Sequence, residues 1–139
     1  MKTAKLSYVK GLQFVGSASS GHAIVIDANP EVGGDNTGLR PMELLLISLG
    51  GCAGMDAVSI LKKKKQNITG MEILVKGRQA DLFPRQFSDI SLEFIVKGKD
   101  MSEEAVKRSI DISMNKYCSV KASLDTSLKV SFSYSITQE

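Results

Sequence analysis

Two cysteines carry the most chemical potential in this 139-residue chain. Cys52 lies in the run Pro41-Met-Glu-Leu-Leu-Leu-Ile-Ser-Leu-Gly-Gly-Cys52-Ala-Gly-Met-Asp56, which reads as an almost wholly apolar helix with two glycines directly before the thiol. A thiol there is either a small core hydrophobe or a nucleophile held against a partner surface. Cys118 follows a second helical stretch, among Asn115, Lys116, Ser119 and Lys121, a polar setting suited to an accessible thiol. Peroxide converts a nucleophilic cysteine to a sulfenic acid, which a second thiol captures as a disulfide. One thiol buried in an apolar helix and one near the surface fit that pairing, although spacing along the chain does not fix the distance between them.

Cysteine reacts as its thiolate and needs positive surroundings or a helix N-terminus. Cys52 stands eleven residues beyond Pro41, outside the reach of the helix dipole. Asp56, one turn later on the same face, disfavours a thiolate. A guanidinium must therefore reach Cys52 if it is to react quickly. Arg40 at the start of the helix is the first candidate, with Arg78 and Arg85 from the predicted sheet behind it.

Other chemistries find little support. The single histidine, His22, follows Gly21 at the start of a strand and reads as a surface residue. The cysteines form no C-x-x-C pair, so neither a metal site nor any other cofactor is expected. There is no G-x-S-x-G, phosphate-cradling glycine loop or paired-carboxylate motif. Met42, Met55, Met101 and Met114 read as core filler. A net charge of +3 without aromatics interleaved with arginine argues against a nucleic-acid partner. The first residues lack a signal-peptide core, and the apolar stretch Leu44–Met55 is shorter than the roughly 18 residues of a membrane span. The expectation is a cytoplasmic protein without a membrane partner, whose thiols stay reduced rather than forming a structural staple.

The elements that must position the thiols follow from periodicity. Residues 3–9, 11–17 and 22–27 read as a three-strand meander, and residues 29–40 as the one long loop. Pro41 opens a helix of about 24 residues, with Glu43 at its positive end and Lys62–Lys65 at its negative end. Being apolar on nearly every side, it is expected to be buried all round. Gly50 and Gly51 cost helix stability and imply that another backbone approaches closely. So small a chain cannot surround this helix alone, so a second copy is expected to cover part of it. Residues 70–79 and 89–97 read as strands, with Ile90, Leu92, Phe94 and Val96 sharing one face. The linker between them carries Leu82, Phe83 and Phe87 for a neighbour to cover. Residues 100–104 open a second helix with capping residues, and residues 128–136 alternate as a final strand. The fold class is α+β, a single domain over residues 1–139.

The Pro41–Cys52 run with Tyr117-Cys118-Ser119-Val120 far downstream resembles the OsmC/Ohr family, the osmotically inducible protein C and organic hydroperoxide resistance proteins. That resemblance implies the OsmC-like fold, with an antiparallel sheet and a long buried central helix, as an intertwined homodimer with its active sites at the subunit boundary. It implies thiol-dependent reduction of organic hydroperoxides, with Cys52 peroxidatic and Cys118 resolving, and regeneration by a small dithiol or lipoyl-type reductant. Family members place a glutamate ten positions before the first cysteine, bridged to an activating arginine. Here Met42 holds that position and the glutamate is Glu43, turned about 100° around the helix. Glu43 and Arg40 are the residues available for that pair. Two other readings remain: a non-catalytic dimer holding an apolar ligand against Cys52, and an interaction protein whose shape changes with a slow Cys52–Cys118 disulfide.

Overall fold

A computed structural model describes all residues, 1–139, which form two compact units, Met1–Leu45 and Leu46–Glu139. In the first unit, β1 (Ala4–Lys10), β2 (Gln13–Ala18) and β3 (Ala23–Ile26) form an antiparallel meander in sequence order. Gly11 turns β1 into β2 with φ +56°, the left-handed region that glycine enters without a Cβ penalty.

The loop after β3 is organised around one carboxylate. Asp27 accepts hydrogen bonds from the amides of Ala28 (2.7 Å), Asp35 (3.2 Å) and Thr37 (3.1 Å), and from the Thr37 hydroxyl (2.5 Å). It closes a loop whose backbone also packs tightly, since a Cβ on Gly34 would stand 2.1 Å from the Ala28 carbonyl oxygen. The Thr37 hydroxyl first, then the Ala28 amide, hold the Asp27 carboxyl down at about 2.

Helix α1 (Pro41–Lys63) begins in the first unit and continues into the second. Its start is fixed by Glu43, which accepts the Arg40 backbone N–H at 2.8 Å, the returning half of a capping box. Its end is closed by a Schellman arrangement: Gln66 N–H donates to the Leu61 carbonyl and Lys65 N–H to that of Lys62. Lys65, at φ +57°, takes the left-handed position usually held by glycine.

In the second unit, β4 (Asn67–Gln79) and β5 (Phe87–Lys99) form a long antiparallel hairpin. β6 (Lys129–Gln138) lies beside β5 and parallel to it, from Asp89↔Lys129 to Gly98↔Gln138. The sheet order is β4-β5-β6, so the expectation of an antiparallel sheet holds for the meander and the hairpin but not for this last pair. The reason is the crossover between β5 and β6, which runs through α2 (Glu103–Ile112) and returns the chain to the same end of the sheet. The Ser102 hydroxyl caps α2 by accepting the Ala105 amide at 3.2 Å. Ile90, Leu92, Phe94 and Val96 share the buried face of β5 as their alternation predicts, and Val106, Ile110 and Met114 complete the core with them.

Within this chain α1 is buried along one stripe only: Leu49, Gly50, Ala53, Gly54, Ala57 and Leu61. The glycines admit side chains rather than a second backbone. A Cβ on Gly50 would meet Val75 at 2.8 Å, and one on Gly54 would meet Ile73 at 2.6 Å, so both strand residues sink into the helix surface. Gly51 has nothing within 4 Å of its Cβ position, and Met55 on the same side is 76% exposed. The expectation of burial on every side is therefore not met by one copy. By length and composition alone α1 is apolar enough to cross a bilayer, with a mean hydropathy of 1.9, and so exceeds the Leu44–Met55 stretch. Its glycine stripe against β4 is the packing of a core helix. In the β4–β5 linker Leu82 and Phe83 are exposed, whereas Phe87, expected with them, opens β5 half-buried against Gly77 of β4.

The depressed Asp27 carboxyl predicts an acid sensitivity. Its stabilising contribution is complete above the ordinary value of 3.8 and is lost as the pH falls through about 2. Urea midpoints measured between pH 5 and pH 2 are expected to fall more steeply for the native sequence than for Asp27→Asn, which has no such carboxylate to protonate. Parallel curves would remove this account of the loop.

Candidate active site

The two thiols belong to the second unit, and they meet. Both are free, and Cys52 lies near enough to Cys118 to act on its titration. Cys52 sits on the flank of α1, between the buried stripe of Leu49 and Ala53 and the open side of Gly51 and Met55. It is half-buried, whereas Cys118 is 4% exposed. This reverses the expected roles of buried and accessible thiol.

The reversal has a local cause. After α2 the helix does not stop but widens into a π turn over Ser113–Tyr117, closed by the Cys118 N–H donating to the Ser113 carbonyl at 2.8 Å. The extra residue in that turn winds Cys118 inward, although its sequence neighbours Lys116, Tyr117 and Ser119 stay exposed. The Ser113 hydroxyl donates to the Ala53 carbonyl at 2.7 Å in a fully buried bond. That bond ties the turn carrying Cys118 to the residue immediately after Cys52. Cys118 then leads into the short α3 (Ser119–Ala122), its Sγ accepting the Lys121 amide at 3.5 Å.

The electrostatics separate the thiols' duties. Burial pushes the Cys118 thiol above its ordinary value. The Lys121 amide opposes that shift, and the Cys52 side chain and the Asp56 charge add to it. Cys118 is thus held as a neutral thiol. Asp56, one turn beyond Cys52, keeps its Oδ2 buried without a hydrogen-bond partner. It lines a cavity of about 450 Å³ with Lys63, Arg108, Lys116 and Tyr117. Arg108 on α2 was not singled out by sequence reasoning. Its position opposite the cysteine helix depends on how α2 lies across the sheet, which periodicity does not give.

The candidate arginines are engaged elsewhere. In the first unit the Arg40 guanidinium donates to Asn36 Oδ1 (2.7 Å), to the Gly38 carbonyl (2.9 Å) and to Asn29 Oδ1. Glu43 meets Arg40 through its backbone amide, not through a guanidinium–carboxylate bridge. Arg78 pairs with Asp89 at 3.6 Å on an exposed surface, and Arg85 lies over the Phe83 ring at 4.6 Å. His22 is exposed, with Nδ1 3.2 Å from the Ser20 hydroxyl. No group of side chains is arranged to hold a metal ion.

Two substitutions test this geometry. In a Cys52→Ser background, Asp56→Asn removes a negative charge facing Cys118, so the pH midpoint of Cys118 alkylation is expected to move down; an unmoved midpoint would detach Asp56 from the thiol. Ser113→Ala deletes the bond to Ala53 and is expected to cost about 1 kcal/mol in urea unfolding. It should also slow closure of the Cys52–Cys118 disulfide by diamide, and an unchanged closure rate would show that the bond does not position the thiols.

Comparison with known proteins gives the chain its relatives. Residues 34–133 match a family described as OsmC-like protein. The chain is 39% identical over 133 residues to Protein YhfA of Escherichia coli K12, covering 96% of each. A crystal structure of a hypothetical protein from Aquifex aeolicus VF5 is similar, with 31% identity and a TM-score of 0.82 over 99% of this chain and 98% of that one. OhrB of Bacillus subtilis, an organic hydroperoxide resistance protein, shares the fold at 19% identity, with a TM-score of 0.61 over 96% and 98% of the two chains.

Proposed function

The chain belongs to the OsmC-like family, and from that premise we propose that it is a thiol-dependent peroxidase acting on organic hydroperoxides. The observation that carries this reading is that Cys52 and Cys118, free thiols from separate elements, lie near enough for one to act on the titration of the other. The Cys52 thiolate attacks the terminal oxygen of the hydroperoxide, the O–O bond breaks, and the departing alkoxide leaves as an alcohol after taking a proton. Cys118 then attacks the Cys52 sulfenic acid. Its thiol proton and the hydroxyl leave as water, and a disulfide remains. A small dithiol, of the lipoyl type or similar, reduces that disulfide.

The more exposed position of Cys52 suits it to meet peroxide, and the buried, neutral Cys118 suits it to wait as the resolving thiol. Substrate preference follows from the surface beside Cys52. An open groove of about 570 Å³ along Gly50, Gly51, Met55 and Val58 of α1, and Met71 and Ile73 of β4, is apolar, so alkyl hydroperoxides gain burial there that hydrogen peroxide does not. A second copy laid along this groove would bury Met55 and Gly51 and enclose the alkyl chain, which is the homodimer this reading includes. Cytoplasmic thiol chemistry is the setting it assumes. Arg40 enters as the activating cation and Glu43 as the residue fixing its backbone. Removing that cation by Arg40→Met is expected to slow turnover roughly ten- to a hundredfold.

The deciding assay follows consumption of cumene hydroperoxide and of hydrogen peroxide by the reduced protein with dihydrolipoate. Faster turnover of the organic peroxide, abolished by Cys52→Ser, is expected. Cys118→Ser should leave one oxidation of Cys52 intact and stop multiple turnovers. Full turnover by Cys52→Ser would end this reading.

A further inference from the structure

The second unit has a cavity of about 380 Å³ walled by the π turn, α3 and the start of β6, and Cys118 is one of its walls while Cys52 is not. Its apolar walls are Met114, Leu124, Leu128 and Val130. Lys116 and Lys121 stand in the same wall, and neither has a carboxylate within ion-pair distance, since the one salt bridge of the chain joins Arg78 and Asp89. The acid present, Asp125, accepts the Ser127 amide at 2.9 Å, which holds its carboxyl below the usual range as an anion. The lining side chains therefore carry two cations against one anion. Cys118 lines this cavity, and its sulfur accepts the backbone amide of Lys121, a residue of the same lining.

We propose that this cavity is the entry site of the reductant, that it takes a small thiol bearing a carboxylate, and that the incoming thiolate attacks the sulfur of Cys118 and not that of Cys52. The proposal rests on the peroxidase reading only for the biological origin of the disulfide. The incoming thiolate forms a bond to Cys118 Sγ, the Cys52–Cys118 bond breaks, and Cys52 leaves with the electron pair as a thiolate. A second thiol of the reductant attacks its own sulfur in the mixed disulfide and releases Cys118. The reductant gives up two electrons and two protons and becomes a disulfide, and both cysteines return to thiols.

Two further observations agree with this direction. A sulfur leaves faster the lower its thiol's pKa, and burial makes Cys118 a poor leaving group, so reduction runs better when Cys118 is attacked and Cys52 departs. The apolar groove of about 570 Å³ beside Cys52 opens among α1 and β4 and shares no lining residue with this cavity. A reductant entering at Cys118 thus does not pass through that groove, and an alcohol held there does not have to clear before it enters.

The test uses the full chain with its disulfide closed by diamide, so peroxide plays no part. The disulfide form is mixed with 3-mercaptopropionate or with neutral 2-mercaptoethanol, quenched with acid, and the mixed disulfide is located by peptide mass spectrometry. The expected adduct is on Cys118. At equal thiolate concentration, the carboxylate thiol is expected to react about tenfold faster, with the advantage falling as salt rises. A Lys116→Glu, Lys121→Glu variant is expected to abolish that advantage. Both lysine side chains reach solvent, so folding is not at stake, and comparison of the two thiols on one protein cancels any general change in reactivity. An adduct on Cys52, equal rates for the two thiols, or a pair that diamide cannot close would each overturn the proposal. A protein that passes this test yet consumes no hydroperoxide would keep the cavity and lose the peroxidase reading.

Discussion

A single buried hydrogen bond, from the Ser113 hydroxyl to the Ala53 carbonyl, joins the two halves of the candidate site. Cys52 is carried by α1, and Cys118 by the π turn after α2, sixty-six positions later. The bond fixes the turn against the residue that follows Cys52, and the widened turn does the rest by bringing Cys118 inward. A regular α-helical turn would point position 118 about 100° away. The site therefore depends on one irregular turn and the hydroxyl that anchors it, and a buried hydroxyl of this kind is costly unless its bond is made.

Small residues give that bond its place. Gly50 and Gly54 let Ile73 and Val75 sit in the helix surface, which sets the depth of α1 over β4. Ala53, on the same stripe, then presents its carbonyl to Ser113 at the start of the π turn. On the opposite side Gly51 and Met55 stay uncovered, so one helix combines a closely packed face with an open apolar one. Cys52 falls at the border between the two, where a sulfur has both a packed neighbour and an approach from outside.

How much of this could be read from the amino acids depends on range. The strands, the extent of α1 from Pro41, and the buried face of β5 are local periodicities, and the structure agrees with each to within a few residues. The direction of β6 was not local: it follows from where the α2 crossover ends. The π turn was invisible for a similar reason, since Ser113–Tyr117 has no composition that distinguishes it from an ordinary helix end. Polar neighbours suggest an accessible Cys118, but Lys116 and Ser119 are polar because they face outward, and Cys118, between the exposed Tyr117 and Ser119, turns in. The two cysteines were identifiable as candidates. Their proximity was not, because it is a property of two elements whose mutual placement no pattern in either one specifies.

The parallel pairing of β6 with β5 has a consequence for the order in which the molecule assembles. Ile90 and Val130 are paired across about forty residues, whereas the β4–β5 hairpin closes over a short turn. Loop closure is entropically dearer over the longer span, so the hairpin zips first and gives α1 a surface to settle on before β6 docks. The π turn and α3, which carry Cys118, lie inside the crossover and wait for that later event. The two sulfurs are thus kept apart in time as well as in sequence: a nascent chain holds Cys52 in place while Cys118 is still loose, and the pair exists only once the last strand has closed the sheet.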